Sequence, residues 1–153
     1  MIKAVIFDFD GVIVDSYYAT IHYFQKTLAH FHKRIPKEEE FKKLLGLKTK
    51  DILKNLIPDA DMEEFNEIYE YSRQQSVRAV PLIVLIKGAR EAIEELSKKY
   101  QLAIASSRGE QTINMLLDKY KLSSFFEIVI TREDTIKHKP DPESINKCLK
   151  FLV

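Results

Sequence analysis

The chain has 153 residues, 45% of them hydrophobic, with 24 Lys and Arg against 23 Asp and Glu and a net charge of +1. That content suffices for one respectable core, and the interleaving of the two signs argues against a nucleic-acid surface. No apolar run approaches the roughly 20 residues needed to span a bilayer. The amino terminus runs into a strand rather than a signal peptide, and the lone Cys148 excludes an internal disulfide, which together point to a cytoplasmic protein with small-molecule partners.

Met1 to Phe7 reads as a buried strand that stops on Asp8-Phe9-Asp10-Gly11. Side chains two apart on a strand point the same way, so Asp8 and Asp10 reach one pocket beyond its carboxyl end, where open α/β sheets do their chemistry. Two acids in so small a volume repel each other. A divalent cation, or a proton on one of them, makes the pair tolerable. An EF-hand loop does not fit, because a strand precedes the acids and Gly11 comes too early.

Residues 18 to 34 carry Ile21, Phe24, Leu28 and Phe31 at helical spacing. Pro36 opens a second helix, with Phe41, Leu44 and Leu45 on its apolar face and Gly46 as terminator. Thr49 is expected to cap a third helix bearing Ile52, Leu53, Leu56 and Ile57, which Pro58 stops. Asp61 with Glu64 forms the capping box of a fourth, with Phe65, Ile68 and Tyr69 on one face. Residues 17–79 are therefore expected to be all-helical.

Beyond Pro81 the pattern alternates: a helix near 89–99, the strand Leu102–Ala105 ending in Ser106-Ser107, a helix carrying Ile113, Leu116, Leu117 and Tyr120, and a strand over 126–130. Alternating β and α predicts a parallel sheet with helices on both faces. About 95 residues separate the first two strands of that sheet, whereas a crossover needs only a dozen or more. The helical block is thus an insertion, dividing the chain into a core of residues 1–16 and 80–153 and a cap of residues 17–79. It leaves the core just after the first acidic loop, where it can act as a lid. The acids of the first strand end, Ser106 at the second and Lys139 in the loop after the third supply a nucleophile candidate, an acid or base, a hydroxyl and an ammonium. These are the parts for transferring a phosphoryl group.

These residues resemble the haloacid dehalogenase superfamily, in its phosphoglycolate phosphatase and beta-phosphoglucomutase-like branch with a small helical cap. Asp8-Phe9-Asp10-Gly11-Val12-Ile13-Val14-Asp15-Ser16 matches that family's opening motif almost letter for letter, Ser106 its second motif and Lys139-Pro140-Asp141-Pro142 its third. The resemblance implies a Rossmann-like hydrolase core. Asp8 would be the nucleophile that forms an aspartyl-phosphate, and Asp10 the acid and base for the leaving alcohol and the water. Ser106 would hold the phosphoryl group, and Lys139 would screen the nucleophile and the phosphoryl oxygens. Gly11, Ser107, Arg108 and Gly46 would line the substrate. Mg2+ would be ligated by the Asp8 side chain and the Asp10 carbonyl. Such an enzyme is a Mg2+-dependent phosphatase for a small phosphorylated metabolite. A phosphomutase of the same family is the alternative reading.

The chain departs from the family in one respect: the fourth motif, a Gly-Asp and a further acid following another strand, is absent. Residues 143–153 read instead as a helix with Ile145, Cys148, Leu149 and Leu152 on its apolar side. By resemblance the chain is C-terminally incomplete, and Ile2 to Phe7 would lie on an open sheet edge. Such an edge would be covered by a homodimer, by a displaced element or by further chain. Asp134 or Asp141 could substitute for the missing acids. The rival from another class is a non-catalytic phosphate-binding remnant. A phosphorylatable receiver domain fits less well, because it has no large insertion after its first strand.

Overall fold

The computed structural model describes residues 2–44, 46–137 and 139–152. The expectations placed on Met1, Leu45 and Val153 therefore lie outside the described residues. In chain order the elements are β1 (Ala4–Phe7), β2 (Val14–Asp15), α1 (Tyr17–His30), α2 (Glu38–Lys42), α3 (Thr49–Leu56), α4 (Met62–Arg78), β3 (Val84–Leu85), α5 (Ala89–Ser97), β4 (Gln101–Ala105), α6 (Glu110–Lys119), β5 (Ile128–Ile130) and α7 (Glu143–Leu152). They form two compact units, Met1–Ser16 with Ile83–Val153, and Tyr17–Leu82.

In the first unit β1, β4 and β5 make a parallel sheet in the order β1-β4-β5. Ala4 to Phe7 register with Gln101 to Ile104, and Ala103 to Ala105 with Ile128 to Ile130. Every side chain of β4 after Gln101 is buried. Ala103 and Ala105 pack with Ile130, Cys148 and Leu152, so α7 covers that face. By alternation Leu102 and Ile104 point to the other face, and they are equally buried, as a central parallel strand requires. Burial pushes the Cys148 thiol up to about 11, consistent with a core residue and not a nucleophile.

β1 departs from the fully buried strand that its sequence suggests, because all four of its residues are half-buried. It pairs with β4 alone among the described residues, so its second edge and part of each face lack a neighbour. β2 and β3 form a separate antiparallel ladder with Val14 opposite Leu85 and Asp15 opposite Val84. Two-residue strands carry no periodic signal, and neither was expected.

The helical unit has its own core of Phe24, Leu28, Phe41, Leu53 and Ile68, contributed by α1 to α4. Asp61 caps α4, its carboxylate accepting the Glu64 amide at 2.9 Å. Four boundaries differ from expectation. α2 ends at Lys42 with Lys43 as its cap, so Leu44 and Gly46 lie beyond it. α1 stops at His30, not 34, and His32 then adopts φ 52. Lys48 occupies the cap position of α3, making Thr49 its first helical residue. Residues Val80–Leu82 form a 3-10 turn within this unit.

Candidate active site

The chain leaves β1 at Phe7 and reverses tightly: the Gly11 amide donates to the Val14 carbonyl at 2.8 Å, and the Ile13 and Val14 amides donate to the Phe9 carbonyl. Gly11 has φ +77, a conformation that costs a side-chain-bearing residue strain, so Gly belongs at this point. Buried Phe9 pins the turn to the core and leaves Asp8 and Asp10 on the surface. Asp8 Oδ1 accepts the Phe9 amide at 2.7 Å and lies 2.9 Å from Lys139 Nζ. Both contacts fall on Oδ1. Asp8 Oδ2 takes no hydrogen bond among the described residues, and the side chain is 48% exposed.

Lys139 Nζ also donates to the Ala105 carbonyl at 2.9 Å, which ties the loop after β5 to the end of β4. Ser106, the next residue, is buried. Its amide donates to the Ile130 carbonyl at 2.9 Å, and its Oγ accepts the Arg108 amide at 3.1 Å. With Oγ already accepting, the hydroxyl proton is left for an anion. Asp10 is held by a fork: Arg108 Nε donates to Oδ2 at 3.0 Å and Nη2 donates to Oδ1, with Ser16 Oγ donating to Oδ1 at 2.6 Å. Arg108 is mostly buried, its side chain 14% exposed.

The structure therefore gathers Asp8, Asp10, Gly11, Ser106, Arg108 and Lys139 at the carboxyl ends of the sheet. Ser107 follows as an exposed residue with no hydrogen bond among the described residues. Gly46 belongs to the helical unit, in the turn after α2, with φ +92. The repulsion between the two acids is met here by a cation for each carboxylate, Lys139 for Asp8 and Arg108 for Asp10, and the second of these pairings was not expected from the sequence.

Two supporting residues escaped the sequence reading. Ser16 closes the opening motif and touches Asp10. Glu133 accepts the Glu110 amide at 2.9 Å at the start of α6 and pairs with Arg132. Burial alone would raise the Glu133 carboxyl, but that amide and that guanidinium outweigh it and hold the group below the ordinary range. Asp134 and Asp141 do not join the cluster. Asp134 Oδ2 is taken by the amide and hydroxyl of Thr131, and Asp141 Oδ1 by the Glu143 amide at 3.0 Å, so both are local loop caps. Among the described residues no group of three or more His, Cys, Asp or Glu side chains is gathered for a metal ion. Asp8 and the Asp10 carbonyl supply hard oxygen donors, and such a pair fits Mg2+, which commonly binds through one or two protein oxygens, waters and substrate phosphate.

A parallel sheet with acids, a hydroxyl and an ammonium at its strand ends defines an enzyme that works on the sheet's carboxyl edge. The comparisons make that class particular. Residues 5–152 match the haloacid dehalogenase-like hydrolase family, and the chain belongs to it. It is similar to the pyrophosphatase PpaX of Bacillus mycoides, 29% identical over 152 residues that cover 99% of this chain and 69% of that protein. The fold is shared with a haloacid dehalogenase-superfamily hydrolase of subfamily IA from Geobacter sulfurreducens, at TM-score 0.74 and 28% identity, covering 97% of this chain and 71% of that one. It is shared also with CbbY from Rhodobacter sphaeroides, solved with phosphate, at TM-score 0.85 and 20% identity, covering 99% and 73%. The family makes the chain an enzyme of the hydrolase class. No described helix is long and apolar enough to cross a membrane.

Proposed function

We propose that the chain is a Mg2+-dependent cytoplasmic phosphatase for a small phosphorylated metabolite, working through an aspartyl-phosphate on Asp8. The observation that carries this reading is Asp8 itself: one oxygen is pinned by the Phe9 amide and Lys139, and the other takes no hydrogen bond among the described residues, on a half-exposed side chain. A carboxylate fixed through one oxygen presents the second in a defined direction, the requirement for in-line attack. Bound Mg2+, held by the Asp8 carboxylate and the Asp10 carbonyl, would offset the charge between nucleophile and phosphoryl group.

Asp8 Oδ2 bonds to phosphorus as the bond to the leaving oxygen breaks, and Asp10, in its protonated form, gives that oxygen its proton. Ser106 and Lys139 donate to the phosphoryl oxygens. Water then attacks the aspartyl-phosphate, Asp10 takes its proton, and orthophosphate leaves with Asp8 restored. Support from similarity is the PpaX name carried by the curated relatives, which acts on a phosphoanhydride by that name. The experiment is phosphate release from a panel containing p-nitrophenyl phosphate, pyrophosphate and a phosphorylated hydroxy acid, measured as Mg2+ is titrated. Release that depends on Mg2+ is expected. A chain that binds orthophosphate yet turns over none of the panel at any Mg2+ is the non-catalytic remnant instead.

A further inference from the structure

Lys139 reaches the site from a loop with little apolar anchorage. Ile136 is 90% exposed and the Lys137 side chain 74% exposed. Besides the local caps made by Asp134 and Asp141, one further carboxylate holds the stretch just before Lys139. Glu143 Oε2 accepts the Lys137 amide at 2.7 Å and Oε1 accepts the Ile136 amide at 3.2 Å. Lys147, one turn further along α7, lies 3.0 Å from Glu143 Oε1 and donates to the Asp134 carbonyl as well. The same helix is rooted in the sheet through Cys148 and Leu152.

We propose that Glu143 is a positioning residue for Lys139, gripping the backbone two residues before it and so fixing where the ammonium sits. The mechanical path is short. The sheet core holds α7, α7 presents Glu143, the carboxylate holds the amides of Ile136 and Lys137, and the chain then delivers Lys139 to Asp8 and the Ala105 carbonyl. Glu143 touches no reacting group, and its carboxyl lies well below the ordinary range, at about 2, chiefly because the Lys137 amide and then Lys147 donate to it. An ionised acceptor of two amides makes charge-assisted bonds, stronger than the neutral ones a turn would supply. Without it both amides return to water and the stretch before Lys139 is loosened. A misplacement of about 1 Å at a catalytic group costs about a hundredfold in rate.

The placement claim stands on geometry, while its consequence for turnover rests on the phosphatase reading above. The experiment separates the two. Lysine acetylation of the full chain by a water-soluble acetylating ester is followed by peptide mass spectrometry in the wild type, Glu143→Ala and Glu143→Gln. An amine bonded to a carboxylate and a carbonyl reacts slowly. Lys139 is expected to react about tenfold faster in Glu143→Ala and at an intermediate rate in Glu143→Gln, which keeps one acceptor oxygen. Lys119, which donates to the Ile83 carbonyl at 2.9 Å in the same unit, serves as the control and should not change. An unchanged Lys139 rate, or a parallel rise at Lys119, overturns the proposal. For turnover, Glu143→Ala should cost about ten- to a hundredfold alone and almost nothing further when Lys139 is already Met, whereas additive losses would show that Glu143 acts elsewhere. A wild type that releases no phosphate defeats the phosphatase reading and leaves the labelling result to decide this one.

Discussion

Asp8 Oδ1 and Lys139 Nζ, brought together from the two ends of the sheet unit, stand 2.9 Å apart. The ammonium occupies one oxygen of the carboxylate and so leaves the other as the reactive one. Replacing Asp8 by Asn keeps the shape and the oxygen that accepts the Phe9 amide but removes the charge and the nucleophile. Phosphate release is expected to fall by about three orders of magnitude or more. Because Asp8 is half-exposed, thermal unfolding should shift by only about 2 °C. Undiminished turnover in this variant would sink the assignment.

Arg108 holds Asp10 with two donors in a fixed plane, which a lysine cannot reproduce. Arg108→Lys preserves the charge and should still lower kcat about tenfold, because the Asp10 carboxyl is then aimed only by Ser16. The pair is partly solvent-screened, so the stability cost should stay below about 1 kcal/mol. Steady-state kinetics beside a denaturant titration checks both halves. A large stability loss with kcat untouched would make the fork a structural tie.

Acid should loosen the molecule in a defined window. The Glu40 carboxyl is held at about 2 chiefly by the Arg34 guanidinium and then by the Lys37 amide, and the Glu143 carboxyl at about 2 by the Lys137 amide and Lys147, against an ordinary 4.5. Folded values below unfolded ones mean that this stabilisation is complete above about 4.5 and is lost as pH falls toward 2. Denaturant midpoints measured from pH 6 to pH 2 should decline through that interval. Glu143→Gln should flatten the decline, and a profile identical to the wild type would contradict the Glu143 contribution.

Phe24 is fully buried in the helical unit's own core. Truncating it to Ala should cost that unit about 3–5 kcal/mol. Because the sheet unit has a separate core around Ala103, Ile130 and Cys148, amide exchange should accelerate in α1, α3 and α4 while β4 stays protected. Equal acceleration in both units would mean that they share one cooperative core.

Much of this arrangement was legible in the residues. A strand ending on Asp8 and Asp10, a second ending on Ser106 and a loop carrying Lys139 announce themselves by apolar runs that stop on polar groups. The Asp61 cap of α4 follows from side-chain reach alone. What stayed hidden depends on contacts distant in sequence. Nothing local marks Ser16 or Glu143 as partners of the site, because each acts on a group that only the fold brings near. β1 is as apolar as a buried strand, and its half-burial follows from pairing with one strand only among the described residues. The apolar spacing over residues 18–34 suggested a longer first helix than forms, since nothing between His30 and Pro36 signals a stop. Lys139 was set against the nucleophile by resemblance, but the pairing of Arg108 with Asp10 was not foreseen, because charge type says nothing of which acid a cation will meet.

The β2–β3 ladder makes neighbours of the two points where the chain departs for the helices and returns from them. A seam of that kind behaves as a socket. Whatever is threaded between Asp15 and Val84 begins and ends at adjacent positions on the sheet unit, so its length and sequence can be rewritten while the strand ends keep their spacing. Selection can then act on the inserted helices and on the strand-end residues as two separately inherited parts, altering one by exchange or recombination without disturbing the geometry of the other.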